Sequence, residues 1–325
     1  MIHDSVVDVI GHTPMVRLGR CFQGRQVEVL AKLEMLNPGG SMKDRPARYI
    51  VEQGLAEGSM VPGMRLVEST SGNLGVALAI VALRYGMHFT AVVDPNTTRA
   101  NLQLLASCGA DVDMVTEVDE SGGYLHTRVA RARELAARDP RSVWVNQYAN
   151  ERNWRAYYET AGQEILDDVE GPIDHLVAAV STTGSIQGLA RRLREAHPRL
   201  RVTAVDATGS VIFGGPPRRR RLPGFGASRV PELLNPAEID EVIHVEDVDS
   251  ALGCRRLAAT EGILAGGSAG AVIAALDRLL PRLGVGERVV TLLPDRGDRY
   301  LDTVYDDAWL TTLLDEREAS LAEVS

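Results

Sequence analysis

Four short loops in this 325-residue chain concentrate side chains that can do chemistry. The first, Asn37-Pro38-Gly39-Gly40-Ser41-Met42-Lys43-Asp44-Arg45, sets a lysine directly behind a glycine- and serine-rich turn. It reads either as a surface lysine after an ordinary turn, or as an amine whose pKa falls on desolvation and which then forms a Schiff base with an aldehyde. The second loop, Ser69-Thr70-Ser71-Gly72-Asn73, falls between a strand pattern and a helix start. Its hydroxyls and the free amides of a helix N-terminus suit a carboxylate or phosphate, although a plain N-cap uses the same residue types. The third, Ser181-Thr182-Thr183-Gly184-Ser185, carries four hydroxyls in five residues. That exceeds what a cap needs and reads as a cradle for a phosphate monoester. The fourth, Gly266-Gly267-Ser268-Ala269-Gly270, opens a helix and offers either close helix packing or a neutral hydroxyl turned to a ligand.

One amine, one anion cup, one phosphate cup and one neutral hydroxyl match pyridoxal 5′-phosphate: Lys43 for its aldehyde, the third loop for its phosphate and Ser268 for its ring nitrogen. The basic residues point the same way. Of 35 lysines and arginines, only Lys32 and Lys43 are lysine. Drift in a genome rich in G and C turns surface lysine into arginine at little cost in charge. A lysine kept against that drift suits amine chemistry that a permanently protonated guanidinium cannot do. A phosphate-loop NTPase is excluded, because neither lysine follows Gly and precedes Ser or Thr. Gly224-x-Gly226 follows a loop rather than a strand, which argues against a dinucleotide site.

These loops need a scaffold, and short β-rich runs alternating with helical patterns supply one made of parallel βαβ units. Strands are predicted at 65–69, 89–93, 111–115 and 143–146, with helices over 74–85, 99–107 and 123–138 between them. A second series predicts helices over 153–166, 186–196, 250–260 and 269–283 and strands at 175–180, 201–206, 242–245 and 288–293. The Gly, Pro and Arg rich stretch 209–229 reads as a loop longer than structureless connections usually run, hence functional or mobile. Residues beyond about Glu316 read as a frayed charged tail. The fold expected is α/β, with two doubly wound sheets and a cleft between them.

Composition narrows the function classes. A chain 45% hydrophobic and 24% charged is an ordinary globular protein, and its net charge of −9 argues against general binding to nucleic acid or an anionic membrane. No apolar stretch is long enough to span a bilayer, and the first residues lack a basic-then-apolar signal pattern. Three scattered cysteines, Cys21, Cys108 and Cys254, fit a reducing cytoplasm without a disulfide framework. The seven histidines show no zinc-site spacing, so no metal is expected.

From Ile10 to about Leu310 the chain resembles the fold-type II pyridoxal-phosphate enzymes of the cysteine synthase and cystathionine β-synthase family. The segments that carry the resemblance are Ile10-Gly-His-Thr-Pro-Met-Val-Arg-Leu18, the Lys43 loop, Ser69 to Gly75, Gly266 to Gly270 and Leu293-Pro-Asp-Arg-Gly-Asp-Arg-Tyr300. The resemblance implies a larger, cofactor-phosphate-binding domain from 1–42 and 150–325 and a smaller, substrate-carboxylate-binding domain over 43–149. It implies Lys43 as the Schiff-base lysine and later the base at Cα, and Asn73 as a donor to the cofactor's ring oxygen. Thr70, Ser71, Gly72 and Gln147 would hold the substrate carboxylate, Ser181, Thr182, Thr183, Gly184 and Ser185 the cofactor phosphate, and Ser268 the pyridine nitrogen. A serine there offers no counter-charge, which leaves the nitrogen largely unprotonated and favours β-elimination over transamination.

Three positions depart from plain cysteine synthases: Ser181 replaces a usual glycine, Tyr148 a phenylalanine and Leu74 a threonine. Within the family the chain looks most like the subgroup that joins O-phospho-L-serine to L-glutamate, giving N-(2-amino-2-carboxyethyl)-L-glutamate for the 2,3-diaminopropionate of siderophores or peptide antibiotics. Ser181, Tyr148 and Arg128 are then candidates for the leaving phosphate, and the run Arg218 to Arg221 with Arg229 for the glutamate carboxylates. Among the substrate contacts expected from this loop are Arg221 and Gly224, although a solvated basic loop accounts for most of the run equally well. Alternatives are a cysteine synthase acting on O-phosphoserine or O-acetylserine with sulfide, and a non-catalytic nucleotide-binding regulatory protein on the same kind of sheet. Family members are usually homodimers acting on small amino acids.

Overall fold

The computed structural model describes residues 2–120 and 122–324. The strands are β1 (Met15–Arg17), β2 (Glu28–Lys32), β3 (Arg65–Ser69), β4 (His88–Val93), β5 (Asp111–Met114), β6 (Ser142–Trp144), β7 (His175–Ala179), β8 (Arg201–Ala207), β9 (Glu241–Val245) and β10 (Arg288–Leu292). The helices are α1 (Asp44–Ala56), α2 (Asn73–Arg84), α3 (Arg99–Ser107), α4 (Leu125–Arg138), α5 (Arg152–Glu159), α6 (Ala161–Asp168), α7 (Gly184–Ala196), α8 (Asp247–Glu261), α9 (Gly267–Leu279) and α10 (Asp307–Val324).

Six strands pair in the order β1-β2-β10-β7-β8-β9 and four in the order β5-β4-β3-β6. Every pairing is parallel except β1 with β2. Parallel strands covered on both faces need near-continuous apolar runs, and β7 (HLVAA) and β10 (RVVTL) have them. Alternate residues of the larger sheet feed two cores: Val205 and Val289 pack with Leu257 and Val272 of α8 and α9. Val202 and Val290 pack on the opposite face with Tyr157, Ile165 and Leu189 of α5, α6 and α7. The smaller sheet buries Leu66, Phe89 and Val93 against Ile50 of α1 and Leu78 and Val81 of α2, and Val7 and Ile10 from the chain's start join that core.

The pattern-based boundaries hold closely for the βα units, with three corrections. The helix predicted over 153–166 is two, α5 and α6, because Thr160 leaves helical geometry (φ −113°, ψ −84°). Its hydroxyl donates to the Ala156 carbonyl (2.5 Å), a side-chain bond that competes with the helix's own ladder. The helix predicted over 269–283 ends at Leu279 and tightens to a 3-10 turn at Leu280–Arg282, which contains Pro281. The predicted frayed tail is helical to Val324: α10 begins at Asp307 and buries Leu310 and Leu313. The short strands β1 and β2 are not among the predicted elements, and neither is α1, although Ala47, Ile50, Val51 and Gly54 recur there at helical spacing and are buried.

Three of the four chemistry-bearing loops follow the carboxyl ends of parallel strands, where an open α/β sheet offers its crevice, and the fourth, Gly266–Gly270, connects α8 to α9. The turns β3–α2 and β7–α7, the segment after β6, the stretch after β10 and the loop before α1 therefore meet.

Candidate active site

Lys43 stands directly before α1, and its amide donates to Ser41 Oγ (3.2 Å). The loop is pinned on both sides: Met42 N donates to the Pro294 carbonyl (2.8 Å) and Tyr157 Oη to the Met42 carbonyl (3.1 Å). Its amine makes no hydrogen bond or ion pair among the described residues. Burial pushes the amine's pKa down to about 8, against an upward pull from the Asp295 carboxylate.

Asp295 is buried, and its Oδ2 accepts from Asn73 Nδ2 (2.8 Å) and Tyr300 Oη (2.7 Å), while its buried Oδ1 has no hydrogen-bond partner among the described residues. Burial pushes this carboxyl up. A side chain at Gly266 would put Cβ 2.2 Å from Asp295 Oδ1, so glycine is required there. Asn73, the first residue of α2, accepts from Arg299 through Oδ1. Its carboxamide thus keeps one N–H for a ligand. Ser268 is buried in the first turn of α9, and Gly224 (φ +96°) would place a Cβ 3.6 Å from Tyr300 Oη.

The two hydroxyl-rich loops turn into the starts of α2 and α7. Thr70 Oγ1 accepts from Gly75 N (3.2 Å), the Ser71 carbonyl accepts from Asn101 Nδ2 (2.9 Å), and the Gly72 carbonyl accepts from Gly75 N (3.0 Å). Gln147 spans to this loop, its Nε2 donating to the Ser69 carbonyl (3.2 Å). In the other loop Thr183 precedes α7 in the left-handed region (φ +65°), a costly conformation for a β-branched residue and one that gathers at functional sites. It is fixed by its own hydroxyl, which donates to the Thr182 carbonyl (2.7 Å) and accepts from Gln187 Nε2 (3.0 Å). Asn153 donates to Thr182 Oγ1 (3.0 Å) and packs so closely on Gly184 that a Cβ there would lie 2.6 Å from Asn153 Oδ1. Ser185 follows in the first turn of α7, buried. First-turn amides have no partner inside their own helix, so this end presents donors to an anion.

Tyr148 is buried at the far end of the cleft with Arg229 stacked on its ring, 5.0 Å from guanidinium carbon to centroid. Ser181 Oγ donates to the Gly226 carbonyl (3.3 Å). Arg128 of α4 lies 3.1 Å from Asp94, but its buried Nε and Nη1 hydrogens find no acceptor among the described residues. Arg221 is not brought to this group: its side chain pairs with Glu316 on α10 and its amide with Asp247 Oδ2 (2.7 Å). Its neighbour Arg220 turns inward instead. Sequence reading also passed over Glu68 and Asp295. Glu68 is buried at the end of β3, accepts the Gln147 amide (3.3 Å), and burial pushes its carboxyl up to about 8. An acid inside an apolar strand, RLVES, was the available signal.

A half-buried amine with its pKa lowered by desolvation, an unsatisfied Asp295 oxygen, further unpartnered buried oxygens at Ser69 and Asn153, and a helix start at α7 that presents amides fit an aldehyde-bearing aromatic phosphate. Two doubly wound sheets meeting around such a lysine define a fold-type II pyridoxal-phosphate enzyme. The family profile described as "Pyridoxal-phosphate dependent enzyme" matches residues 6–295, and the chain belongs to that family. It is 57% identical over 317 residues to N-(2-amino-2-carboxyethyl)-L-glutamate synthase of Ralstonia nicotianae, covering 98% of this chain and 94% of that one. Among solved structures it is similar to O-acetylserine dependent cystathionine beta-synthase from Helicobacter pylori (TM-score 0.86, 32% identity, 93% of this chain and 98% of that one). O-ureido-L-serine synthase is also similar (TM-score 0.86, 34% identity, 96% and 100%). The protein is an enzyme that works with pyridoxal phosphate.

Proposed function

We propose that the enzyme catalyses β-replacement between O-phospho-L-serine and L-glutamate, giving N-(2-amino-2-carboxyethyl)-L-glutamate and phosphate. The observation that carries this reading is the 57% identity, spread over 98% of the chain, to a synthase named for that product. The cationic far end of the cleft, with Arg128 and Arg229 about Tyr148, supports it, because both substrates are anionic and the chain's net charge is −9.

The bound cofactor supplies an aldehyde conjugated to an electron-withdrawing ring; orientation and proton traffic fall to the protein. Lys43 would hold the cofactor, then take the donor's Cα proton on its amine and later return it. A pKa near 8 suits that double duty at neutral pH. Thr70, Ser71, Gly72 and Gln147 orient the donor's carboxylate, with Asn73 toward the ring. Thr182, Thr183, Gly184 and Ser185 anchor the cofactor phosphate, and Ser268 meets its nitrogen. Ser181, Tyr148 and Arg128 receive the leaving phosphate, and Gly224 keeps the cleft wall open beside Tyr300. The donor's Cβ–O bond breaks with its electron pair going to phosphate, and the neutral amine of glutamate forms the new Cβ–N bond and sheds one proton.

The two sheets would act as the domains 1–42 with 150–325 and 43–149. The enzyme would work as a cytoplasmic homodimer supplying 2,3-diaminopropionate to a siderophore or peptide antibiotic. No helix among the described residues is long and apolar enough to cross a membrane. Mass spectrometry of products from phosphoserine offered glutamate, sulfide and other acceptors tests the reaction. The glutamate adduct with stoichiometric phosphate is expected; cysteine alone would instead make this a cysteine synthase.

A further inference from the structure

The arginine-rich loop after β8 exposes Arg218 and Arg219, whereas Arg220 turns into the protein. Its Nη2 donates to Ser228 Oγ (2.8 Å), while its buried Nη1 has no hydrogen-bond partner among the described residues. Nη1 lies where a side chain on Gly226 would sit, 2.5 Å from the position of an added Cβ. Gly226 is also the residue whose carbonyl accepts Ser181 Oγ (3.3 Å). Arg220 therefore borders the Ser181 and Tyr148 end of the cleft, and its charge is felt at Tyr148. Asp206 and Asp247 attract it without an ion pair among the described residues: Asp206 accepts the Ala207 amide (2.9 Å) through Oδ1 while its buried Oδ2 has no hydrogen-bond partner there, and Asp247 accepts the amides of Arg221 (2.7 Å) and Leu222 (3.3 Å).

Its neighbours are differently committed. Arg229 is paired with Glu232, and Arg128 comes from the small-sheet helix α4, on the side of the loop that takes the donor's carboxylate. The Arg220 guanidinium, half-buried with Nη1 unpartnered among the described residues and carried by a loop of the larger-sheet half, is left for one more anion. We propose that Arg220 is the specificity-determining residue for the acceptor, its Nη1 donating to a carboxylate oxygen of the incoming dicarboxylic amino acid. This rests on the glutamate reading above.

The test separates the half-reactions of the holoenzyme. Phosphate released from phosphoserine without acceptor reports on the donor; product formed on adding glutamate or sulfide reports on the acceptor. In Arg220→Gln the phosphate burst is expected to persist and turnover with sulfide to stay within about threefold. For glutamate, kcat/KM should fall by about 30-fold or more, mostly through KM. Arg199→Gln, altering an exposed arginine outside this loop, should match wild type. Arg220→Lys keeps the charge that Asp206 and Asp247 face, guards against misfolding of the first variant, and should lose about tenfold in glutamate use. Unchanged glutamate kinetics in either Arg220 variant would overturn the inference alone. A burst reduced as much as the glutamate step would overturn it by assigning Arg220 to the donor phosphate. A wild-type enzyme that releases phosphate yet ignores glutamate would sink the glutamate reading, and this inference with it.

Discussion

Lys32 and Lys43 flank one loop and stand in opposite surroundings. Lys32 is fully buried and fully used: its Nζ donates to the Thr13 carbonyl (2.8 Å) and pairs with Glu164 (3.0 Å) and Asp168 (3.3 Å). Next to it Arg45 binds Glu34 through Nε (2.6 Å) and Nη2 (2.8 Å), and Glu164 through Nη1 (2.6 Å) and Nη2 (2.7 Å). Thr13 and Asn37 complete the ring of hydrogen bonds. On the other face of the loop Lys43 is half-buried, and the buried Asp295 Oδ1 and Asp44 Oδ1 have no hydrogen-bond partner among the described residues. A satisfied buried network rigidifies what it touches, whereas unsatisfied buried groups are costly unless a ligand completes them. The lesson is a division of labour: one cluster fixes the loop so that its neighbour can stay reactive.

The sharpest way to break this contrast is to exchange the consequences of mutation. Lys43→Ala should lower turnover by about 10⁴-fold or more, with the urea unfolding free energy changed by no more than about 1 kcal/mol. Glu164→Gln should do the reverse. It takes one carboxylate from both Arg45, which keeps Glu34, and Lys32, which keeps Asp168, and should cost about 3 kcal/mol in the same unfolding measurement, with activity per folded molecule within about tenfold of wild type. A stable Glu164→Gln variant or an unfolded Lys43→Ala variant would erase the distinction. The same network sets an acid limb. Arg45 and Lys32 hold Glu164 at about 2, below its ordinary value of 4.5, despite its burial. Its stabilisation is therefore full above about 4.5 and lost as pH falls toward 2, and Glu164→Gln should flatten that part of the stability profile.

Chemistry at Lys43 should show the opposite dependence. Its amine is neutral above about 8. Uptake of pyridoxal phosphate by apoprotein, followed by absorbance, should speed up with pH and level off near 8. An ordinary exposed lysine would continue to gain toward about 10.4.

The smallest effect concerns Glu68, which accepts the Gln147 amide at the end of β3. Its carboxyl titrates higher folded, near 8, than unfolded. The folded state therefore holds the extra proton between about 4.5 and 8, and wild-type stability should decline across that window. Glu68→Gln should remove the decline, gaining about 1 kcal/mol or more near pH 8 relative to wild type. A parallel profile in the two proteins would mean that Glu68 is not buried in the way its hydrogen bonds indicate.

Much of this arrangement is legible in the chain. Short β-rich runs alternating with helical patterns locate β3 through β10, because parallel strands covered on both faces are largely apolar. The Lys43 loop, Ser69 to Asn73 and Ser181 to Ser185 announce themselves through residue types that local backbone geometry requires. The misses share a cause. Thr160 breaks a helix through its own side-chain bond, and α10 is held by packing and by Arg221 with Glu316 rather than by a strong apolar stripe. Arg220 and Arg221 are identical and adjacent, so no local property could say which turns inward.

Sequence alone determined the two-sheet α/β class, the lysine suited to imine chemistry and the hydroxyl-rich loops before α2 and α7, since these follow from short-range pattern and the intrinsic chemistry of side chains. Tertiary structure alone decided that Lys32 is a paired strut and Lys43 a free amine, that Asp295 and Glu68 lie buried beside the site, and that Arg220 faces the cleft. Those outcomes depend on which distant groups share a dehydrated volume, and charge, burial and hydrogen bonding act through distance in space rather than separation along the chain.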